Sequence, residues 1–225
     1  MNPDLDTLNA DIINCNRCER LRAYCAQIAQ VKRRAYRDQS YWGKPVPGWG
    51  DPQAHLLIIG LAPGAHGSNR TGRMFTGDHA GDFLYAALHR SGLCNQPGSV
   101  SRQDGLRLQG VFITAVGRCA PPGNKPLPVE LQNCRPYLVT ELKLLKSVKV
   151  LLVLGKIAFD GTLKALQELG ERPVVKSNGF AHGAVRAVGP YQLVSSYHVS
   201  QQNTQTGRLT AAMFDVVLKT CLSFL

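Results

Sequence analysis

Cys15 and Cys18 in NCNRC, together with Cys119 and Cys134 at the ends of CAPPGNKPLPVELQNC, are the side chains best suited to chemistry. Four thiolates match zinc and an iron-sulfur cluster equally in ligand number. Zinc ribbons pair two CxxC motifs, whereas Cys119 and Cys134 stand far apart, and that spacing favours a cluster tying the N-terminus to mid-chain. Cys25, Cys94 and Cys221 bring the total to seven, an odd number that fits reduced thiols plus a thiolate-ligated centre better than a disulfide framework. The plain reading of these three is buried thiols.

Two further segments have the residue types of a site. GLAPGAHGSNRTGRMFTGD, Gly60 to Asp78, holds five glycines, two arginines, a histidine and an aromatic. Glycines let backbone amides approach a phosphate or a flat base, and arginines neutralise charge. The segment lacks the Walker lysine pattern and the GxGxxG spacing, which argues against a nucleotide cofactor. SYHVSQQNTQTGRLT, Ser196 to Thr210, places His198 ahead of a polar run ending near Arg208. A lone histidine is more often structural than catalytic, but a position at a strand's carboxyl end improves its standing as an acid, base or donor.

Such residues need a frame, and the apolar runs supply one. His55 to Leu61, Val111 to Val116, Val148 to Leu154 and Leu193 to Tyr197 read as strands buried on both faces, each feeding a loop. Helical patterns lie between them, notably Asp82 to Ser91 and Glu130 to Lys146. The alternation implies an α/β fold with a parallel sheet, whose ligands bind beyond the carboxyl ends of its strands. Asp4 to about Gln30 has helical spacing, with the CxxC on or beside that helix. Lys32 to Pro52, rich in basic, aromatic and proline residues, reads as an ordered but irregular surface segment.

The chain has 225 residues, enough for one domain with a substantial core, expected to span 1–225 with residues 1–52 carrying half of the cysteine quartet. Twenty-six Lys and Arg against fifteen Asp and Glu give a net charge of +11, which calls for a polyanionic partner: DNA, RNA or an anionic membrane. No apolar run nears bilayer-spanning length and the N-terminus has no signal pattern, so a soluble intracellular protein is expected.

NCNRC, YWGKPVPGWGDP, GLAPGAHGSNRTGRMFTGDHAGDFL, RCAPPGNKPLPVELQNC and YHVSQQNTQTGRLT, in this order, closely resemble the uracil-DNA glycosylase superfamily. Within it they resemble the iron-sulfur branch called family five, or type b. The resemblance covers nearly the whole chain. It implies a single-domain three-layer sandwich with a central four-stranded parallel sheet flanked by helices. It also implies a [4Fe-4S] cluster on Cys15, Cys18, Cys119 and Cys134, structural and not electron-transferring. The implied enzyme is a monofunctional base-excision repair glycosylase that flips out uracil, and deaminated bases such as hypoxanthine or xanthine, and leaves an abasic site. A cytoplasmic, nucleoid-associated monomer with DNA as its partner and no membrane is expected.

By the same resemblance, Phe75 would stack on the base beside Gly64, and Asn124 would pair with the O4 and N3 edge of uracil. His198 would steady the charge developing at O2. Related families place a polar or acidic residue just after the first glycine of motif one. This chain has Leu61 and Ala62 there, as type b enzymes do, so the water-positioning group must come from elsewhere; Asp78 is the candidate, unless it only caps the helix that follows. DNA contacts are expected from Arg70 and Arg73, and from Gln201, Gln202, Asn203 and Arg208 in a loop matching a minor-groove wedge. Lys32, Arg33, Arg34 and Arg37 either add phosphate contacts or form a solvated basic face. The rival class is a non-catalytic iron-sulfur or zinc protein that binds nucleic acid, which would not need Phe75, Asn124 and His198 on separate strand-end loops.

Overall fold

The computed structural model describes residues 4–171 and 179–225. The predicted early helix is two: α1 (Leu5–Ile13), capped by the Asp4 carboxylate on the Thr7 amide, and α2 (Glu19–Val31). Cys15 lies in the break between them and Cys18 is the N-cap of α2, so the CxxC sits in a turn beside α2. The chain continues through the short strand β1 (Trp49–Gly50), then β2 (Leu56–Gly60), α3 (Ser68–Thr71), α4 (His79–Arg90) and β3 (Val111–Ala115). After these come α5 (Pro128–Leu144), β4 (Val150–Leu154), α6 (Lys156–Glu168), β5 (Val185–Val188), β6 (Tyr191–Ser196), α7 (Gln201–Gln205) and α8 (Ala211–Leu222).

All four predicted strands form, as β2, β3, β4 and β6, and they are mutually parallel. The sheet is nevertheless six-stranded and mixed, in the order β1-β3-β2-β4-β6-β5, because β1 and β5 add antiparallel edges. Each central strand is buried along most or all of its length, which matches its unbroken apolar run. Successive side chains point to opposite faces. Leu56, Ile58, Ile113, Leu152 and Val194 pack on one side with residues of α4 and α8, while Leu57, Ile59, Phe112, Leu151 and Leu193 pack on the other with α5 and α6. The result is one three-layer α/β domain. Among the described residues no helix is long and apolar enough to cross a membrane.

Arg20 fastens the N-terminal helices to this domain: its Nε and Nη2 donate to the two carboxylate oxygens of Glu130 at 2.7 Å each. Glu130 also accepts from the Leu127 amide at 2.7 Å, which closes the first turn of α5. A buried ion pair, Arg118 Nη2 to Glu141 Oε2 at 2.6 Å, joins the loop after β3 to α5 and takes in the Thr114 hydroxyl as well.

Candidate active site

The carboxyl ends of the four parallel strands lie side by side, and the loops after β2, β3 and β6 converge on one cavity of about 500 Å³. The loop after β2 contributes Gly64, His66, Phe75 and Asp78, the loop after β3 contributes Asn124, and the loop after β6 contributes His198, Gln201 and Gln202. Gly155, at the end of β4, leaves room for the loop after β6: a Cβ there would lie 3.2 Å from that of His198.

Phe75 and Asn124 both adopt left-handed backbone conformations, with φ of +52° and +56°. Asparagine tolerates this region, but for a bulky residue such as Phe75 it is a genuine outlier, of the kind retained at functional sites. Two glycines accommodate it. A Cβ on Gly60 would lie 2.7 Å from the Phe75 ring, and one on Gly81 would strike the Phe75 carbonyl oxygen. The ring is buried, and its centroid is 6.4 Å from that of His198, with the planes inclined by 32°.

Asp78 plays two parts at once. Its Oδ1 accepts from the Gly81 amide at 3.1 Å, the N-cap of α4. Its Oδ2 lies against the glycine loop, where a Cβ on Gly64 would approach within 2.7 Å and one on Gly67 closer still. Burial raises the carboxyl pKa above its ordinary value, despite the Gly81 amide and Arg70. Burial acts oppositely on His198 and lowers its pKa to about 4, so the imidazole is neutral at physiological pH.

Two expected DNA contacts are corrected here. Arg70 and Arg73 are buried, and their guanidiniums serve the loop itself. Arg70 donates to the carbonyl oxygens of His66 and Gly77 and to Gln39, and stacks on Tyr36 at 3.9 Å. Arg73 Nη2 lies 2.7 Å from one Asp104 oxygen and 2.8 Å from the other, and also donates to Ser99. Neither is free to meet a phosphate. Asn203 is likewise turned inward, its amide donating to the His198 carbonyl at 2.8 Å. Gln201 and Gln202 are exposed at the rim, and Arg208 is exposed with its guanidinium 4.7 Å from the Tyr197 ring centroid.

These roles separate in one titration. Replacing Arg33 and Arg34, both exposed, with alanine is expected to flatten the salt dependence of DNA affinity by about two charges' worth. Replacing Arg73 with alanine is expected to leave that slope alone and to cost about 3–5 kcal/mol of stability, because Asp104 keeps a buried charge without its partner. Equal slopes in wild type and the double variant would make Arg33 and Arg34 a solvated face.

The cysteine quartet comes from the turn between α1 and α2, the loop after β3, and α5. Burial, with Cys18 and Cys15 close enough to add repulsion, raises the pKa of the Cys134 thiol. A hydrogen bond with Cys25, burial and the nearness of Cys134 do the same to Cys119. Asn133 Nδ2 lies 3.4 Å from Cys18 Sγ. Among the described residues, no three His, Cys, Asp or Glu side chains are gathered closely enough to hold a single metal ion.

The chain is a three-layer α/β domain whose strand-end cavity gathers an aromatic, an amide, a carboxylate and a neutral imidazole. A family model for the Uracil DNA glycosylase superfamily matches residues 47–221, and the chain belongs to that superfamily. It is 51% identical over 205 residues to the type-5 uracil-DNA glycosylase of Thermus thermophilus, covering 91% of this chain and 90% of the relative. It is 50% identical over 214 residues to that of Mycobacterium tuberculosis, covering 94% and 78%, and 42% identical over 208 residues to that of Pyrobaculum aerophilum, covering 92% and 88%.

Sequence reasoning gave no role to His66, which lines the cavity, or to Tyr41, whose hydroxyl oxygen lies 3.0 Å from His66 Nδ1. The only signal in the sequence was a histidine inside the glycine loop.

Proposed function

We propose that this chain is a monofunctional uracil-DNA glycosylase that flips uracil out of DNA and hydrolyses its N-glycosidic bond. The observation that carries the reading is the convergence of Phe75 and Asp78, Asn124, and His198, from three separate strand-end loops, on one cavity. Phe75 offers a fixed ring for the base to stack on, and Asn124 offers both donor and acceptor to its edge. A water oxygen bonds to C1′ of the sugar while the bond from C1′ to the base nitrogen breaks. The released electron pair passes into the ring toward O2, where a donor N–H from His198 stabilises it. The proton lost by the water goes to Asp78, whose raised pKa makes it a better base than a solvated carboxylate. No lysine is among the described residues lining the cavity, so a Schiff-base route has no nucleophile there and the product is an abasic site.

The range extends to hypoxanthine and xanthine. Leu61 and Ala62 line the cavity where a polar pair would demand one hydrogen-bond pattern, and its volume accommodates a purine.

The four thiols fit a [4Fe-4S] cluster as an all-cysteine donor set, and the Arg20–Glu130 pair holds the helix after Cys15 and Cys18 to α5, which carries Cys134. Cys15, Cys18, Cys119 and Cys134 would hold it. When bound, such a cluster supplies a cross-link between the N-terminal helices and the loop carrying Asn124, without entering the chemistry.

The test is incubation with an oligonucleotide containing one uracil, followed by alkali, which cuts at abasic sites. Cleavage only after alkali is expected, with hypoxanthine and xanthine strands cut likewise. No cleavage of any of these from a brown, iron-loaded sample would leave a non-catalytic iron-sulfur protein that binds nucleic acid.

A further inference from the structure

One side chain on the cavity wall takes no part in the base chemistry. His66 lies between Gly64 and Gly67, and its Nδ1 is 3.0 Å from the Tyr41 hydroxyl oxygen, with the two rings edge to face. The Arg33 amide donates to the same oxygen at 3.4 Å. If Nδ1 carried the proton, the hydroxyl oxygen would accept two hydrogen bonds and its own proton would have no acceptor among the described residues. With the Tyr41 O–H donating to Nδ1, both the hydroxyl and Nδ1 are satisfied, and the imidazole proton sits on Nε2. No described residue bonds that nitrogen.

The surroundings are cationic and rigid. Burial, followed by the charges of Arg33 and Arg70, holds the His66 pKa below its ordinary value, so the ring is a neutral donor. Arg70 Nε donates to the His66 carbonyl at 2.7 Å and fixes the backbone. The segment bearing Tyr41 is bound to the same loop through the Trp42 amide on the Arg70 carbonyl at 2.8 Å and the Gly43 amide on the Asn69 carbonyl at 3.0 Å. Exposed Arg33, Arg34 and Arg37 therefore belong to the unit that presents His66. A fixed N–H donor in a positive field, beside a base pocket, recognises an anion, and the anion next to a flipped nucleotide is its phosphodiester.

We propose that His66 donates Nε2–H to a phosphodiester oxygen flanking the flipped nucleotide, and that Tyr41 is the positioning residue that fixes its tautomer and ring orientation. This rests on the glycosylase reading.

The experiment is a binding cycle on duplexes carrying one non-hydrolysable 2′-fluoro-deoxyuridine, with the flanking phosphates replaced one at a time by methylphosphonates. At one position the replacement is expected to weaken wild-type binding about tenfold, as loss of a hydrogen bond to a charged group does, and to cost the His66→Ala variant nothing more. Tyr41→Phe, which keeps the ring and its packing, is expected to show a smaller loss coupled to the same phosphate. If every methylphosphonate weakens His66→Ala and Tyr41→Phe as much as wild type, His66 touches no phosphate and the inference falls. Coupling to the base instead, seen as a changed preference between uracil and hypoxanthine, would overturn it too. Wild type that cuts uracil DNA but shows no coupling refutes only the His66 role; wild type that neither binds nor cuts it refutes the glycosylase reading with it.

Discussion

Replacing His198 with alanine is expected to lower kcat on uracil DNA by about 10²- to 10³-fold, the loss typical of removing one donor to a developing oxyanion. The pH profile identifies the acting form. With a pKa near 4 the imidazole is neutral through the physiological range, so His198 itself imposes no change in rate between about pH 5 and 8. A rate that rises as pH falls from 7 to 5, with the rise lost in His198→Ala, would make the imidazolium the active species and refute the neutral-donor reading. Stability responds in its own direction. Unfolded His198 takes up a proton near its ordinary value of 6.5 and the folded group only near 4, so the unfolded state binds more protons between them and stability falls as pH drops through that window. The loss reaches about 3 kcal/mol once pH is below 4, with about 2 kcal/mol of it between pH 7 and 5; it is absent in His198→Ala and measurable as unequal shifts in Tm over that interval.

The frame of this site was legible because its strands are buried on both faces. His55–Leu61 and the three similar runs had no polar alternation to confuse, and three of the four end where the structure turns into a loop lining the cavity. The edges carried no such signal. β1 has two residues, and β5 has an exposed Val185 and Ala187, so neither contains a continuous apolar run. α6 and α8 were passed over as well, α6 with a glycine at position 161 that weakens a helical pattern and packs against Val116. The cavity-lining residues at loop tips, Phe75, Asp78, Asn124 and His198, were named through the motif resemblance. Arg70, Arg73 and Asn203 have partners elsewhere in the fold that their own neighbourhood in the sequence does not announce. Arg73 among glycines looks like a phosphate clamp until Asp104 comes back to meet it, and nothing local to Arg73 announces Asp104. Asn203 looks like a groove contact until its amide is seen to hold the His198 carbonyl.

Asp78→Asn is expected to reduce turnover by about 10²- to 10⁴-fold while leaving the fold and DNA affinity intact, and the geometry explains why those effects separate. Asparagine is as good an N-cap as aspartate, so the hydrogen bond from the Gly81 amide survives the exchange. What is lost is the Oδ2 carboxylate oxygen facing Gly64 and Gly67, and with it the proton acceptor. Because the folded pKa is raised, the folded state holds its proton more tightly than the unfolded chain. Ionised Asp78 therefore costs stability once pH rises above the ordinary carboxyl value of 3.8. An amide removes that cost, so Tm at pH 7 is expected to equal or exceed that of wild type. In the wild-type enzyme, kcat should fall on the acid side through a pKa above 3.8, and this limb should vanish in Asp78→Asn. A variant with lower Tm and unchanged kcat would reduce Asp78 to a helix cap. One with intact Tm, intact affinity and little turnover would place the attacking water beside Oδ2, where the two glycines leave no side chain to exclude it.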